Sequence, residues 1–208
     1  AKGIEATVEL SIELEAEGFR AVPHLSARMI RDRAHLAEIL ARLSDAGIDR
    51  AFVVGGDVEE PGDYPGDYPD GLSLLRAMAD LGGGPVEIGI PCYPQGHTAI
   101  LDDALLRALR DKAPFASSMT TQLCFDPRAI AGFIAARRGD GITLPVKLGI
   151  PGVAEVTKLM AISARIGIRD TRRFLMKNSR FVGQLLTSGG VYRPTSLLEK
   201  LAPLIADP

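Results

Sequence analysis

Two periods of apolar residues alternate along the chain. Stretches spaced for one face of a helix give way to short continuous apolar runs, and each run is followed by another helical stretch. Helical spacing runs from Ile4 to Glu17 and stops at Gly18. Phe19 to Val22 is a short strand-like run ending in Pro23-His24. Arg33 to Ala46 is helical, with Leu36, Ile39, Leu40 and Leu43 on one face and Gly47 as its stop. Ala51-Phe52-Val53-Val54 reads as a buried strand ending in Gly55-Gly56-Asp57. Leu72 to Leu81 is helical and ends at Gly82-Gly83-Gly84. Val86 to Pro91 predicts a strand ending in Cys92-Tyr93-Pro94, and Ile100 to Lys112 a helix with Leu101, Leu105, Leu106 and Leu109 inward. Ala116 to Phe125 predicts a strand with Thr121-Gln122 near its end. Asp126 and Pro127, as N-cap and first helical residue, open a helix to about Arg138. Leu144 to Ile150 reads as a strand before Pro151-Gly152, and Val153 to Ile162 as a helix. Arg165-Ile166-Gly167-Ile168 is an eroded strand or a linker, and Arg169 to Pro208 reads as helices with a turn at Ser188-Gly189-Gly190.

About five strands, each followed by a helix at a spacing of about 30 residues, make βαβ units, so the strands are expected to be parallel. An open doubly wound sheet and a barrel both fit that order. The phosphate-binding glycine fingerprint of the open sheet, G-x-G-x-x-G, is missing after the first strand. Polar residues instead end nearly every strand, at His24, Asp57, Tyr93 and Gln122. A barrel site is assembled from many strand ends at one mouth. The expected fold class is therefore α/β, a TIM (β/α)8-type barrel, here partial, in one domain spanning residues 1–208.

Composition narrows the class. Of 208 residues, 46% are hydrophobic and 24% charged, as in globular proteins. A net charge of −2 argues against a nucleic-acid partner, which needs a clustered basic surplus. The runs Arg28 to Arg33 and Arg172-Arg173 have acids close by and read as solvated helix faces. Cys92 and Cys124 sit in apolar runs and read as small core residues in a reducing compartment. No apolar stretch approaches the roughly 20 residues of a membrane span, and the charged first turn is unlike a signal peptide. The cytoplasm is the expected location. No metal-ligand spacing and no Ser-His-Asp arrangement is visible. A local duplication, Gly-Asp-Tyr-Pro at 62–65 and 66–69, reads as a mouth loop.

Each candidate residue has a structural reading beside the functional one. Asp57 follows two glycines and could form a turn, yet a carboxylate at a strand tip is also a good ligand. Gln122 in an apolar strand costs free energy unless its amide is paired. His24 could be a satisfied structural histidine, and Tyr93 a core residue. His97 could cap the following helix. Asp102 and Asp103 suit the positive end of a helix dipole, and Lys112 the negative end. His35 reads as a surface residue.

Five motifs stand out: Pro23-His24-Leu25-Ser26, Gly55-Gly56-Asp57, Tyr93-Pro94-Gln95-Gly96-His97, Thr121-Gln122-Leu123-Cys124-Phe125-Asp126 and Gly149-Ile150-Pro151-Gly152-Val153. Together they resemble the methylenetetrahydrofolate reductase family. The G-G-D and H-L-x-x-R-M variants resemble a divergent bacterial branch. The resemblance implies a flavin-containing (β/α)8 barrel that reduces methylenetetrahydrofolate to methyltetrahydrofolate with NADH or NADPH, in the one-carbon metabolism that serves methionine synthesis. It implies substrate binding by Asp57 and Gln122, and cofactor contacts at His24, Tyr93, His97, Asp102 or Asp103, and Lys112. A tetrahydrofolate derivative is the implied partner, and a homo-oligomer is left open.

On this resemblance the family's first two strands and its last strand fall outside the chain. The first of them carries the glutamate thought to protonate the folate nitrogen, so no catalytic residue is assigned within the chain. Gly55 stands where better-known members have Arg. FAD binding and direct hydride transfer from nicotinamide to folate both stay open. Alternatives of other classes are a non-catalytic folate-binding relative and a methyltransferase-like barrel.

Overall fold

The computed structural model describes residues 3–56, 66–97, 99–165 and 191–205. The strands β1 (His24–Ser26), β2 (Arg50–Val54), β3 (Glu87–Cys92), β4 (Ser118–Thr121) and β5 (Val146–Lys147) form one parallel sheet in the order β1-β2-β3-β4-β5. Between and after them come α1 (Gly3–Ala16), α2 (Arg33–Asp45), α3 (Gly71–Leu81), α4 (Asp102–Lys112), α5 (Pro127–Gly139) and α6 (Val156–Arg165). This is the α/β alternation that the sequence predicts. Two short 3-10 turns, Ala27–Met29 and Ala113–Phe115, lie between elements. A second, antiparallel pair joins β6 (Ala154–Glu155) to β7 (Val191–Tyr192), and α7 (Thr195–Ile205) follows. The Arg172-Arg173 run, residues 166–168 and the turn at 188–190 lie outside the described residues.

The chain forms two compact units. One comprises Ala1–Pro91 with Ala108–Met119, the other Cys92–Arg107 with Thr120–Pro208.

In the first unit the strands register His24 with Phe52 and Phe52 with Gly89. Leu25, Ala51, Val53 and Ile90 alternate with these positions and are buried, while His24 is exposed and Phe52 partly so. Helix α2 buries Leu36, Ile39, Leu40 and Leu43, the face read from the sequence. Its start is capped by Asp32, whose carboxylate accepts the His35 N–H at 2.8 Å. Its end is a Schellman motif: Gly47, at φ 74°, donates to Ser44 and Ile48 donates to Leu43. Asp70 caps α3 in a capping box with Ser73.

Three local readings are corrected. Phe19 to Val22 is not a strand: Phe19 is 63% exposed and β1 begins after Pro23. Pairing starts where the Pro23 carbonyl accepts the Phe52 N–H at 2.9 Å. His35 is not a surface residue, being only 6% exposed. Its Nδ1 accepts the Arg31 N–H at 3.1 Å, so the ring hydrogen sits on Nε2 and faces a Glu5 carboxylate oxygen at 2.7 Å. Hydrogen bonds from His35 and Arg42 hold the Glu5 carboxyl below the usual carboxylate range. Leu101, read as inward, is 81% exposed because it precedes the first turn of α4.

A second tie reaches across the same unit. Arg50 at the start of β2 is buried, and its guanidinium pairs with Glu15 and Asp49 and donates to the Ala21 carbonyl at 2.9 Å. The end of α1 is thereby fixed to the sheet.

Candidate functional site

In the first unit, His24 opens β1 and does not follow it, two residues before the strand's C-terminal end. Its ring lies on Phe52, with centroids 4.8 Å apart and planes tilted by 43°. That contact desolvates the imidazole and lowers its pKa, because burial disfavours the charged form. Neutral at pH 7, it offers one donor and one acceptor to an uncharged ring.

Asp57 lies outside the described residues, which stop at Gly56 and resume at Gly66. Gly56 and Pro69, on either side of residues 57–65, are held by a residue that sequence reading assigns to a solvated face. Arg28 donates from Nη1 to the Gly56 carbonyl at 3.0 Å and from Nε to the Pro69 carbonyl at 2.9 Å. Its backbone N–H bonds Gly55 at 3.1 Å, and the Asp67 N–H bonds Arg31 at 2.9 Å. Of the duplicated Gly-Asp-Tyr-Pro, the second copy is thus built into the structure, with Tyr68 buried. The first copy falls outside the described residues. The only sequence signal for Arg28 was its place in H-L-x-x-R-M.

In the second unit, Tyr93 follows β3 directly. Its ring meets that of His97 edge to face at 5.2 Å. The intervening turn is closed by the Gly96 N–H on the Tyr93 carbonyl at 3.1 Å. His97 Nδ1 accepts the Ala99 N–H at 3.1 Å, so the imidazole serves the local backbone and keeps its hydrogen on Nε2. Asp102 and Asp103 form the exposed first turn of α4, where the helix dipole favours them. Lys112 ends the same helix, about 15 Å along its axis from Asp102.

Gln122 follows β4 and is half-buried. Its backbone N–H donates to the Cys92 carbonyl at 2.7 Å. Its side-chain Oε1 accepts the N–H of Leu123 at 3.0 Å. Of the two ends of a side-chain amide only the oxygen accepts an N–H, so this bond orients the amide and leaves the NH2 group to donate elsewhere. Beside it, the buried Thr121 hydroxyl accepts the Gly149 N–H at 2.8 Å. A Cβ on Gly149 would collide with the Thr121 carbonyl. Two of the quoted motifs, T-Q-x-x-F-D and G-I-P-G-V, are therefore in direct contact, which their separation in sequence concealed.

Asp126 caps α5 through bonds from Arg128 at 2.9 Å and Ala129 at 3.3 Å, as its sequence position predicts. Both cysteines are buried thiols outside any disulfide, and burial pushes the Cys124 thiol up to about 11, which leaves it unreactive. Among the described residues there is no His/Cys/carboxylate group able to hold a metal, and no helix long and apolar enough to cross a membrane.

The first unit thus offers an uncharged imidazole on a phenyl ring, and the second an edge-to-face Tyr-His pair and an amide donor, each a kind of group able to meet a planar heteroaromatic ring. A family model described as methylenetetrahydrofolate reductase matches residues 4–169, which include all five motifs and both edges of the Thr121–Gly149 contact. The chain accordingly belongs to the methylenetetrahydrofolate reductase family, reductase-type enzymes acting on folate-bound one-carbon units.

Proposed function

We propose that this chain, as a single β/α-barrel domain, binds a reduced folate and takes part in reducing 5,10-methylenetetrahydrofolate to 5-methyltetrahydrofolate with NAD(P)H in the cytoplasm, in the manner of a divergent G-G-D branch. The reading is carried by Gln122. Its amide is held through Oε1 by the Leu123 N–H, which leaves the NH2 group as a donor suited to a ring carbonyl of the pterin. Asp57, next to Gly56 in the chain, would accept paired hydrogen bonds from the amidine edge of the same ring. His24, Tyr93, His97, Asp102 or Asp103, and Lys112 are the proposed cofactor contacts. A nicotinamide, when bound, supplies the hydride. His24 and Tyr93 offer ring faces to such a group or to FAD. No residue of the chain is assigned as the acid that protonates the folate nitrogen.

The test is titration of the purified chain with tetrahydrofolate, alongside NADH consumption with and without methylenetetrahydrofolate. Folate binding that weakens roughly tenfold in Gln122→Leu supports the site. Consumption of NADH dependent on methylenetetrahydrofolate supports the reaction. Binding without turnover favours a folate-binding relative, and no binding ends the proposal. A yellow protein with a flavin spectrum would decide for FAD.

A further inference from the structure

The arm formed by β7 and α7 lies beyond the residues matched by the family model, yet it enters the core of the second unit. Tyr192, only 3% exposed, clusters with Phe125 and Leu159. Its ring meets Phe125 edge to face, centroids 5.8 Å apart. The backbone of Tyr192 is set by antiparallel pairing with Ala154, two residues after the G-I-P-G-V motif begins its final Gly-Val step at Gly152. Leu123 packs its side chain against this cluster. The N–H of the same Leu123 holds the Gln122 amide.

These contacts form a short chain: Leu123 packs against the cluster that holds Tyr192, Phe125 and Leu159, and the Leu123 N–H holds the oxygen of the Gln122 amide. We propose that Tyr192 is a positioning residue for substrate recognition, supplied by the C-terminal arm, which keeps the Gln122 NH2 group aimed at the ligand. This inference rests on the assignment of Gln122 to folate binding. It makes the arm part of the recognition apparatus. An arm that only covered apolar surface would leave the amide's orientation unchanged.

The experiment uses the full 208-residue chain and tetrahydrofolate as the probe. Tyr192→Phe keeps the ring and should bind as the parent does. Tyr192→Leu keeps apolar bulk without the ring edge, and should weaken binding roughly fivefold. The double variant with Gln122→Leu should bind no more weakly than Gln122→Leu alone, because an amide that is gone cannot be misdirected. Leu123→Ala removes the intermediate side chain and retains the N–H, and should give a loss comparable to Tyr192→Leu. It serves as a second route should Tyr192→Leu fail to fold. Leu201→Ala, in a separate cluster of the same arm, should lower stability without weakening folate binding.

Additive losses in the double variant overturn the proposal. So does a Leu201→Ala variant that binds as weakly as Tyr192→Leu, or a Leu123→Ala variant that binds normally. If Gln122→Leu itself binds normally, the folate assignment of Gln122 fails first and the positioning role falls with it.

Discussion

The imidazole of His24 rests on the Phe52 ring, and its depressed pKa makes a signed prediction. As pH falls below the ordinary histidine value of 6.5, the unfolded chain takes up a proton before the folded one does. His24 therefore contributes stability that is complete above that value and is lost as pH falls toward the folded pKa. An NMR titration of the ring should give a midpoint below 6.5, and His24→Phe should remove this part of the acid-side decline in unfolding free energy. A midpoint above 6.5 would contradict the contact. Gly149 is a steric case. Its missing Cβ is needed by the Thr121 carbonyl, a backbone group that cannot swing away. Gly149→Ala should cost about 2 kcal/mol, read from urea unfolding. Neither effect can be seen in sequence, since both depend on an atom from a strand encoded some 28 residues away.

Helices α1 and α2 are coupled by polar groups as well as by their apolar faces. His35 bonds the Arg31 N–H with one nitrogen and Glu5 with the other, inside a nearly closed environment. A surface histidine can be replaced within about 0.5 kcal/mol, whereas His35→Ala should cost about 2 kcal/mol through an orphaned donor and a cavity. Denaturant unfolding distinguishes the two. The helices themselves were legible: α2, α3 and α5 sit within a residue or two of their predicted bounds, because caps and a 3.6-residue apolar stripe are local signals. Phe19 to Val22 was misread because a four-residue apolar run does not say whether a partner strand is within reach. Leu101 was misread because a stripe extended two residues too far looks the same as a true one.

At the scale of the molecule, the two compact units carry the candidate residues separately, His24 and Lys112 in one, and Tyr93, His97, Asp102, Asp103 and Gln122 in the other. The second unit depends on residues for which the sequence offered no functional account. Leu201 of α7 is 1% exposed and packs with Cys124 and Ile130, against Leu148. Leu201→Ala should cost about 3 kcal/mol and raise binding of a hydrophobic dye before global unfolding. An unchanged thermal midpoint would show that the arm is not integral to the unit. The sequence by itself determined the alternation of helices and strands, the caps and the five motifs, and with them the family. All of these are written in short windows whose physics is local. Only the tertiary structure decided that His24 begins its strand, that Arg28 bonds both Gly56 and Pro69, and that Tyr192 reaches the Thr121-to-Asp126 motif. Those facts depend on contacts between distant segments, and packing chooses such contacts only once the whole chain has folded.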